Sequence, residues 1–226
     1  MNNIEILETN TFCPHLDPNK IVFMLHGYGD NAENFIYIAK ELQDNESKVN
    51  FFALNAPTAI PNYPSGRQWF NLYPNGIYIS DAGQNEISII KSEIIISVKK
   101  IINTIKKIKD QFALHYSDCF ILGFSQGGIM TFELGNYLQS KLAGLAIISG
   151  RILESDKIVN SFFLNTPTFI SHGDEDDVLS VTNFYSSLEI LKKNKFNYED
   201  HLIKGDSHTI SPKAIDLLQK FIKKNL

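Results

Sequence analysis

Ser125 lies in the motif Gly-Phe-Ser-Gln-Gly, residues 123 to 127, whose residue types and spacing fit nucleophilic chemistry. An apolar run, Cys119 to Leu122, precedes the motif and a helix-forming stretch follows it, and this strand–turn–helix context gives Gly-x-Ser-x-Gly its meaning. The small residues on either side permit a sharp turn that exposes the serine hydroxyl. Ser125 is therefore a candidate nucleophile toward an acyl carbonyl. The alternative is a glycine-rich turn with a purely structural role.

A serine hydroxyl needs a general base, and in enzymes with this turn the chain order is serine, acid, histidine. His172, His201 and His208 follow Ser125. His208 falls in a polar turn, Lys204 to Thr209, between the last predicted strand and the last predicted helix. A loop there can bring an imidazole over the serine, so His208 is the predicted base. The other two histidines follow or lie within predicted strands, and we expect them to be structural.

The acid that orients the base should follow the preceding strand. The loop from Ser171 to Val178 offers four carboxylates, on Asp174, Glu175, Asp176 and Asp177, and spacing alone does not choose among them. A solvated turn and a cation site are the competing interpretations. The loop lacks the further spaced oxygen ligands of a calcium loop such as the EF-hand, so no metal site is predicted.

Hydrolysis of an acyl bond also needs donors for the developing oxyanion. The backbone N–H of Gln126 opens the helix after the nucleophile and is the first candidate. The second is the N–H of Tyr28, in the glycine-containing loop Leu25 to Asp30 after the first central strand. His26 in that loop precedes the nucleophile in the chain and is interpreted as structural.

Composition indicates an ordinary globular chain. The 226 residues are 43% hydrophobic and 20% charged, which fits one domain spanning residues 1–226. The net charge of −4 gives no electrostatic reason to bind nucleic acid. Cys13 and Cys119 belong to no CxxC pair, so neither a disulfide framework nor a zinc site is expected.

No signal peptide or membrane span is expected from the sequence. The first residues carry acidic side chains rather than a basic region, and no long apolar segment follows before Pro14. The longest apolar runs fall short of the roughly 20 residues that a spanning helix requires. The cytoplasm is therefore the expected compartment.

Short apolar runs alternate with longer amphipathic stretches, which predicts an α/β fold with a mostly parallel, open sheet and helices on both faces. The predicted strands are Ile21 to Leu25, Val49 to Leu54, Cys119 to Leu122, Leu145 to Ser149, Thr168 to Ser171 and Tyr198 to Ile203, with an edge strand near Ile4 to Leu7. The predicted helices are Ala32 to Leu42, Ile87 to Lys109, Gly128 to Leu138, Thr182 to Lys193 and Pro212 to Lys223. The strand at Tyr198 alternates with charged residues and should lie near an edge.

Two segments admit more than one interpretation. The aromatic-rich stretch Asn55 to Gly83 either shapes a substrate pocket or covers the sheet, and both interpretations stay open. The isoleucine- and lysine-rich stretch Ile87 to Lys109 fits a helix that covers the sheet better than one that lies on a membrane surface.

Several motifs together resemble the acyl-protein thioesterases and their bacterial relatives, the phospholipase/carboxylesterase group of α/β-hydrolases. The similar blocks span nearly the whole chain and occur in the family's order: residues 25–30 (LHGYGD), 68–71 (QWFN), 123–128 (GFSQGG), 172–178 (HGDEDDV) and 205–208 (GDSH). In the family's acid loop the catalytic aspartate stands four residues after the histidine, which implies Asp176. The family's base and oxyanion donors map to His208 and to the N–H groups of Tyr28 and Gln126.

The resemblance implies an α/β-hydrolase that cleaves carboxylic esters or thioesters through an acyl-enzyme on Ser125, without a metal or an organic cofactor. Trp69 and Phe70 are predicted to contact the substrate. The expected substrate is a small or lipid-like acyl ester, a lysophospholipid or an acylated protein. The alternatives are another activity on this fold, of the peptidase or dienelactone type, and a receptor-like scaffold that has lost catalysis.

Overall fold

The computed structural model describes residues 5–43, 47–153 and 161–226. Its central sheet has seven strands in the order β1-β3-β2-β6-β7-β8-β9, and β4 and β5 form a separate hairpin. The strands are β1 (Thr9–Phe12), β2 (Lys20–Leu25), β3 (Val49–Leu54), β4 (Thr58–Ile60), β5 (Tyr63–Gln68), β6 (Cys119–Phe124), β7 (Gly144–Ile148), β8 (Thr168–Gly173) and β9 (Tyr198–Ile203). β1 runs antiparallel to β3, and the other pairs in the central sheet are parallel.

The central strands are almost entirely buried and mostly apolar because both faces of the sheet are covered. Along β2, Ile21, Phe23 and Leu25 pack into the apolar core on one face. Val22 and Met24, which point the opposite way, pack into the core on the other face. A continuous apolar run therefore builds two cores at once.

Helices lie on both faces. They are α1 (Ala32–Phe35), α2 (Ala39–Leu42), α3 (Gln84–Gln111), α4 (Gln126–Tyr137), α5 (Ser161–Leu164), α6 (Thr182–Lys193) and α7 (Pro212–Asn225). Buried residues of α3, α4 and α6 belong to the first core, and those of α1, α2 and α7 belong to the second. Within the described ranges, none of the helices is long and apolar enough to cross a membrane.

The predicted α/β-hydrolase fold, with helices on both faces of a mostly parallel sheet, is confirmed. β9 lies at the edge of the sheet, as its charged residues predicted. The long helix α3 buries Ile90, Ile94, Val98 and Ile101 in the first core, so it covers the sheet.

Three local predictions differ from the structure. The antiparallel edge strand is Thr9–Phe12 and not the segment near Ile4 to Leu7; Leu7 is instead buried in the core, and Ile4 lies outside the described residues. The helix predicted from Ala32 to Leu42 is interrupted by a 3-10 turn at Ile36–Ile38. The hairpin of β4 and β5 was missed, because the Pro, Ser and Gly residues of β5 are typical of loops.

Candidate active site

Ser125 lies between β6 and α4 in a strained backbone conformation, with φ 53° and ψ −116°. Its N–H donates to the Ile148 carbonyl of the neighbouring strand at 2.9 Å. The flanking glycines make the turn possible. A Cβ on Gly123 would collide with the Gly127 backbone, and a Cβ on Gly127 would collide with the Leu25 carbonyl. Close backbone packing around this turn therefore requires the two glycines, and Ser125 itself is half-buried and faces a cavity.

His208 joins the serine to a carboxylate. Its Nε2 lies 2.9 Å from Ser125 Oγ, and its Nδ1 lies 2.7 Å from Asp176 Oδ2. Because an ionised carboxylate only accepts hydrogen bonds, Nδ1 carries the proton in the neutral ring and Nε2 accepts from the serine hydroxyl. The ring also packs on Phe124, with ring centroids 5.0 Å apart. The structure thus brings together the three residues that the sequence and the family resemblance singled out.

Asp176 differs from the other three acids of its loop by its burial. Asp174, Glu175 and Asp177 are exposed, whereas the Asp176 side chain is fully buried. Its Oδ1 accepts from the N–H of Val178 at 3.0 Å and from the N–H of Leu179 at 2.7 Å. These bonds orient the carboxylate so that Oδ2 points to the histidine.

His172 supports this arrangement from the buried side. Its Nε2 lies 2.7 Å from the Leu179 carbonyl and 3.2 Å from Asp176 Oδ2. Burial lowers the pKa of His172, which favours the neutral ring. A neutral ring that donates from Nε2 has no proton on Nδ1, and Nδ1 is buried without a hydrogen-bond partner among the described residues. His201 lies apart on the edge strand β9, beside Glu199.

Tyr28 and Gln126 line the same cavity as Ser125 and His208. In the part of the chain that the structure describes, the backbone N–H of each has no hydrogen-bond acceptor. Gln126 is also the first residue of α4, where free N–H groups and the positive end of the helix dipole lie. Both N–H groups are therefore available to an anionic oxygen beside the serine.

The Gln126 side chain connects the turn at Ser125 to the segment before α3. Its Oε1 accepts from the Trp69 N–H at 2.9 Å, and its Nε2 donates to the Phe70 carbonyl at 2.8 Å. The Trp69 and Phe70 side chains are buried in the core and are not among the described residues that line the cavity with Ser125. The substrate contact predicted for them stays a prediction, whereas their backbone groups hold the turn.

His26 is fully buried, and both nitrogens of its ring form hydrogen bonds with backbone groups. Its Nδ1 lies 2.7 Å from the Gly27 carbonyl, and its Nε2 accepts from the Ala56 N–H at 3.1 Å. Burial lowers the pKa of His26 to about 4, so the ring is neutral at pH 7. This geometry agrees with its interpretation as a structural residue.

The cavity above Ser125 has a volume of about 470 Å³ and a mostly apolar wall. The aromatic-rich segment contributes to this wall Leu72, Tyr73, Tyr78, Ile79 and Ser80; other elements contribute Phe124, Ile129, Val178, Leu179, Ser180, Arg151 and Asn183. The segment therefore does both things that its sequence allowed, since Ala56, Trp69 and Phe70 pack into the first core and residues between Leu72 and Ser80 shape the cavity.

Arg151 was not singled out from the sequence, although a signal was present. It is one of two arginines in the chain, and it comes two residues after the predicted strand Leu145 to Ser149. In open α/β sheets, ligands bind beyond the carboxyl ends of the strands. An arginine at that place is a candidate for ligand contact.

The fold and the hydrogen-bonded serine, histidine and aspartate define a serine hydrolase of the α/β-hydrolase class. Residues 8–226 match the family model described as phospholipase/carboxylesterase. The chain belongs to this family, and it is a hydrolase of carboxylic esters or thioesters. Neither alternative activity nor the receptor-like scaffold is better supported.

Relatives and solved structures agree with this assignment. The chain is 30% identical over 209 residues to acyl-protein thioesterase 1 homolog 1 of Dictyostelium discoideum, covering 91% of this chain and 90% of the relative. It is also 30% identical to acyl-protein thioesterase 1 of Saccharomyces cerevisiae, covering 91% of this chain and 92% of that protein. The crystal structure of esterase PE8 superimposes with a TM-score of 0.84 at 25% identity, covering 98% of this chain and all of the other.

Proposed function

We propose that Ser125, His208 and Asp176 form the catalytic triad of this hydrolase. The observation that carries the proposal is the position of His208, 2.9 Å from Ser125 Oγ and 2.7 Å from Asp176 Oδ2. With the proton of the neutral His208 ring on Nδ1, Nε2 is free to take the serine proton. The buried carboxylate then stabilises the imidazolium that forms.

In the acylation step Ser125 Oγ attacks the substrate carbonyl while its proton moves to His208 Nε2. The carbonyl oxygen becomes an oxyanion, which accepts hydrogen bonds from the N–H groups of Tyr28 and Gln126. When the tetrahedral intermediate collapses, His208 gives the proton to the leaving alcohol or thiol. Ser125 is left as an acyl ester.

Deacylation repeats these steps with water. His208 takes a proton from a water molecule as its oxygen attacks the acyl carbonyl, and the same N–H groups stabilise the second oxyanion. Collapse returns the proton to Ser125 Oγ and releases the carboxylic acid. In both steps every proton transfer passes through His208 Nε2.

We propose an acyl ester, a lysophospholipid or an acyl thioester, including an acylated protein, as the substrate. The apolar cavity wall, with Leu72, Ile79 and Ile129 beside the serine, favours a hydrocarbon acyl chain. The Dictyostelium and yeast relatives are named acyl-protein thioesterases, which also favours an acyl thioester as the substrate.

The test is to compare the wild type with Ser125→Ala on para-nitrophenyl butyrate and on a fluorophosphonate probe. We expect kcat to fall by roughly 10⁴- to 10⁶-fold and labelling to disappear, while the circular dichroism spectrum is unchanged. Ser92→Ala is a matched control, because Ser92 is exposed on α3 and does not line the cavity. Near-normal turnover by folded Ser125→Ala would reject the nucleophile assignment.

A further inference from the structure

The chain segment after β7 holds Arg151 next to the nucleophile turn. Gly150 packs against that turn so closely that a Cβ on it would lie 3.1 Å from the Ser125 carbonyl oxygen. On the other side, the N–H of Ile152 donates to Ser187 Oγ of α6 at 2.9 Å. Arg151 is thus anchored through both neighbours, and its side chain lines the cavity.

The guanidinium has few partners among the described residues. Its Nη1 lies 3.3 Å from Asn183 Oδ1, and Asn183 is itself oriented by a hydrogen bond from its Nδ2 to the Ser180 carbonyl at 3.1 Å. No carboxylate of the described residues lies within ion-pair distance of Arg151. None of the described residues that line the cavity is acidic.

This is a costly environment for a cation. Burial lowers the pKa of the Arg151 guanidinium, but arginine remains charged in proteins. A partly desolvated charge without a counter-ion reduces stability unless a ligand pairs with it. A purely hydrocarbon substrate could not accept the hydrogen bonds that the Arg151 guanidinium can donate besides the one to Asn183.

Building on the proposed hydrolase function, we propose that Arg151 and Asn183 form a subsite for an anionic oxygen group on the substrate. A guanidinium presents parallel N–H donors that match a carboxylate or a phosphate, and the Asn183 oxygen fixes its direction. The preferred substrate is then an ester or thioester whose acyl part or alcohol part carries a carboxylate or phosphate near the scissile bond. The apolar wall holds the intervening hydrocarbon.

The experiment compares matched neutral and anionic esters. For the acyl part, the pair is para-nitrophenyl pentanoate and para-nitrophenyl hemiglutarate. For the alcohol part, the pair is the butyrate esters of para-hydroxybenzamide and para-hydroxybenzoate. The ratio of kcat/KM within each pair is measured for the wild type, for Arg151→Met and for Arg151→Lys. Lys107→Met is the control, since it removes one exposed positive charge outside the cavity lining.

We expect the wild type to prefer the anionic member of one pair, which identifies the side of the substrate that carries the anion. Arg151→Met should lower kcat/KM for that ester by about 10- to 100-fold, with the neutral ester changed less than about threefold. Arg151→Lys should restore part of the preference, because it keeps the charge without the planar fork. Lys107→Met should leave both ratios unchanged.

Two results would overturn the subsite. One is a wild type that prefers the neutral ester in both pairs, and the other is an equal loss on both members in Arg151→Met. The neutral esters separate this inference from the proposed function. If turnover of the neutral esters depends on Ser125 but no preference depends on Arg151, the subsite fails and the hydrolase mechanism stands. If no ester is turned over in a Ser125-dependent way, the mechanism itself fails.

Discussion

His172 Nε2 lies 3.2 Å from Asp176 Oδ2, the same oxygen that lies 2.7 Å from His208 Nδ1. Two imidazole rings therefore converge on one carboxylate oxygen. The Val178 and Leu179 N–H groups occupy the other oxygen. Besides His208, three groups therefore contact the Asp176 carboxylate, and they fix the direction in which it meets the His208 ring.

The first prediction concerns the contribution of His172 to the position of Asp176. His172→Phe removes the Nε2–H donor and keeps a ring of similar size. We expect kcat for para-nitrophenyl butyrate to fall about 2- to 10-fold with little change in KM, because the substitution removes the hydrogen bond to the Leu179 carbonyl and the Nε2 contact with Asp176 Oδ2, and a neutral hydrogen bond contributes about 0.5 to 1.5 kcal/mol. His201→Phe, on the edge strand away from the site, should leave kcat unchanged. Equal effects of the two substitutions would contradict a positioning role for His172.

The second prediction concerns the Gln126 side chain. Gln126→Ala leaves the Trp69 N–H and the Phe70 carbonyl buried without partners, while the Gln126 backbone N–H is retained. We expect the free energy of unfolding to fall by roughly 2 to 4 kcal/mol, measured by urea denaturation. Gln111→Ala, at an exposed position, should change it by less than about 0.5 kcal/mol. A small effect at Gln126 would mean that water replaces its hydrogen bonds.

The third prediction is a dependence of stability on pH that comes from His26. Its pKa is about 4 in the folded protein, below the ordinary value of 6.5. Between these values the unfolded chain binds a proton that the folded chain does not, so stability falls as the pH decreases from 6.5 toward 4. The total effect of this one group is about 3 kcal/mol.

Two measurements check this prediction. The ¹⁵N chemical shifts of the His26 ring should show a neutral ring protonated at Nδ1 at pH 7 and still neutral near pH 5. His26→Gln should flatten the decrease in unfolding free energy over this pH range, whereas His115→Gln, at an exposed position, should not. Protonation of His26 near its ordinary pKa would contradict the prediction.

The fourth prediction concerns Glu133 on α4. Burial raises its pKa to about 7, and the charge of Lys91 only partly opposes this shift. Between 4.5 and about 7 the unfolded chain loses a proton that the folded chain retains, so this group reduces stability as the pH rises. Glu133→Gln should therefore raise the free energy of unfolding at pH 8 by about 1 to 2 kcal/mol, since Glu133 is only half-buried. At pH 4.5 the gain should vanish.

Exposed Glu189 supplies the control for this comparison, and Glu189→Gln should show no such dependence on pH. Urea denaturation at both pH values gives the required free energies. A gain for Glu133→Gln that is equal at pH 4.5 and pH 8 would show that ionisation of Glu133 is not its cause.

Local patterns in the sequence were sufficient for six of the seven strands of the central sheet and for the turn around Ser125. The strands Val49–Leu54 and Tyr198–Ile203 and the helix Thr182–Lys193 have the bounds that were predicted. The two strands could be predicted because a strand buried on both faces is mostly apolar, whereas an edge strand carries charged residues. The tight turn at Ser125 could also be predicted from the sequence, since such a turn requires small residues two positions before and two positions after the serine.

The tertiary structure decided what depends on distant parts of the chain meeting. Four acids of one loop are equivalent by spacing, and only the family resemblance implied Asp176; the structure supplies the physical reason, because the Asp176 side chain turns inward to the Val178 and Leu179 N–H groups. Trp69 and Phe70 look like pocket residues in a polar, aromatic segment, yet they pack in the core because Gln126 binds their backbone. Arg151 lines the cavity because Gly150 packs against the Ser125 turn, a contact between residues 25 positions apart in the chain. Neighbouring parallel strands create such contacts, and no local pattern encodes them.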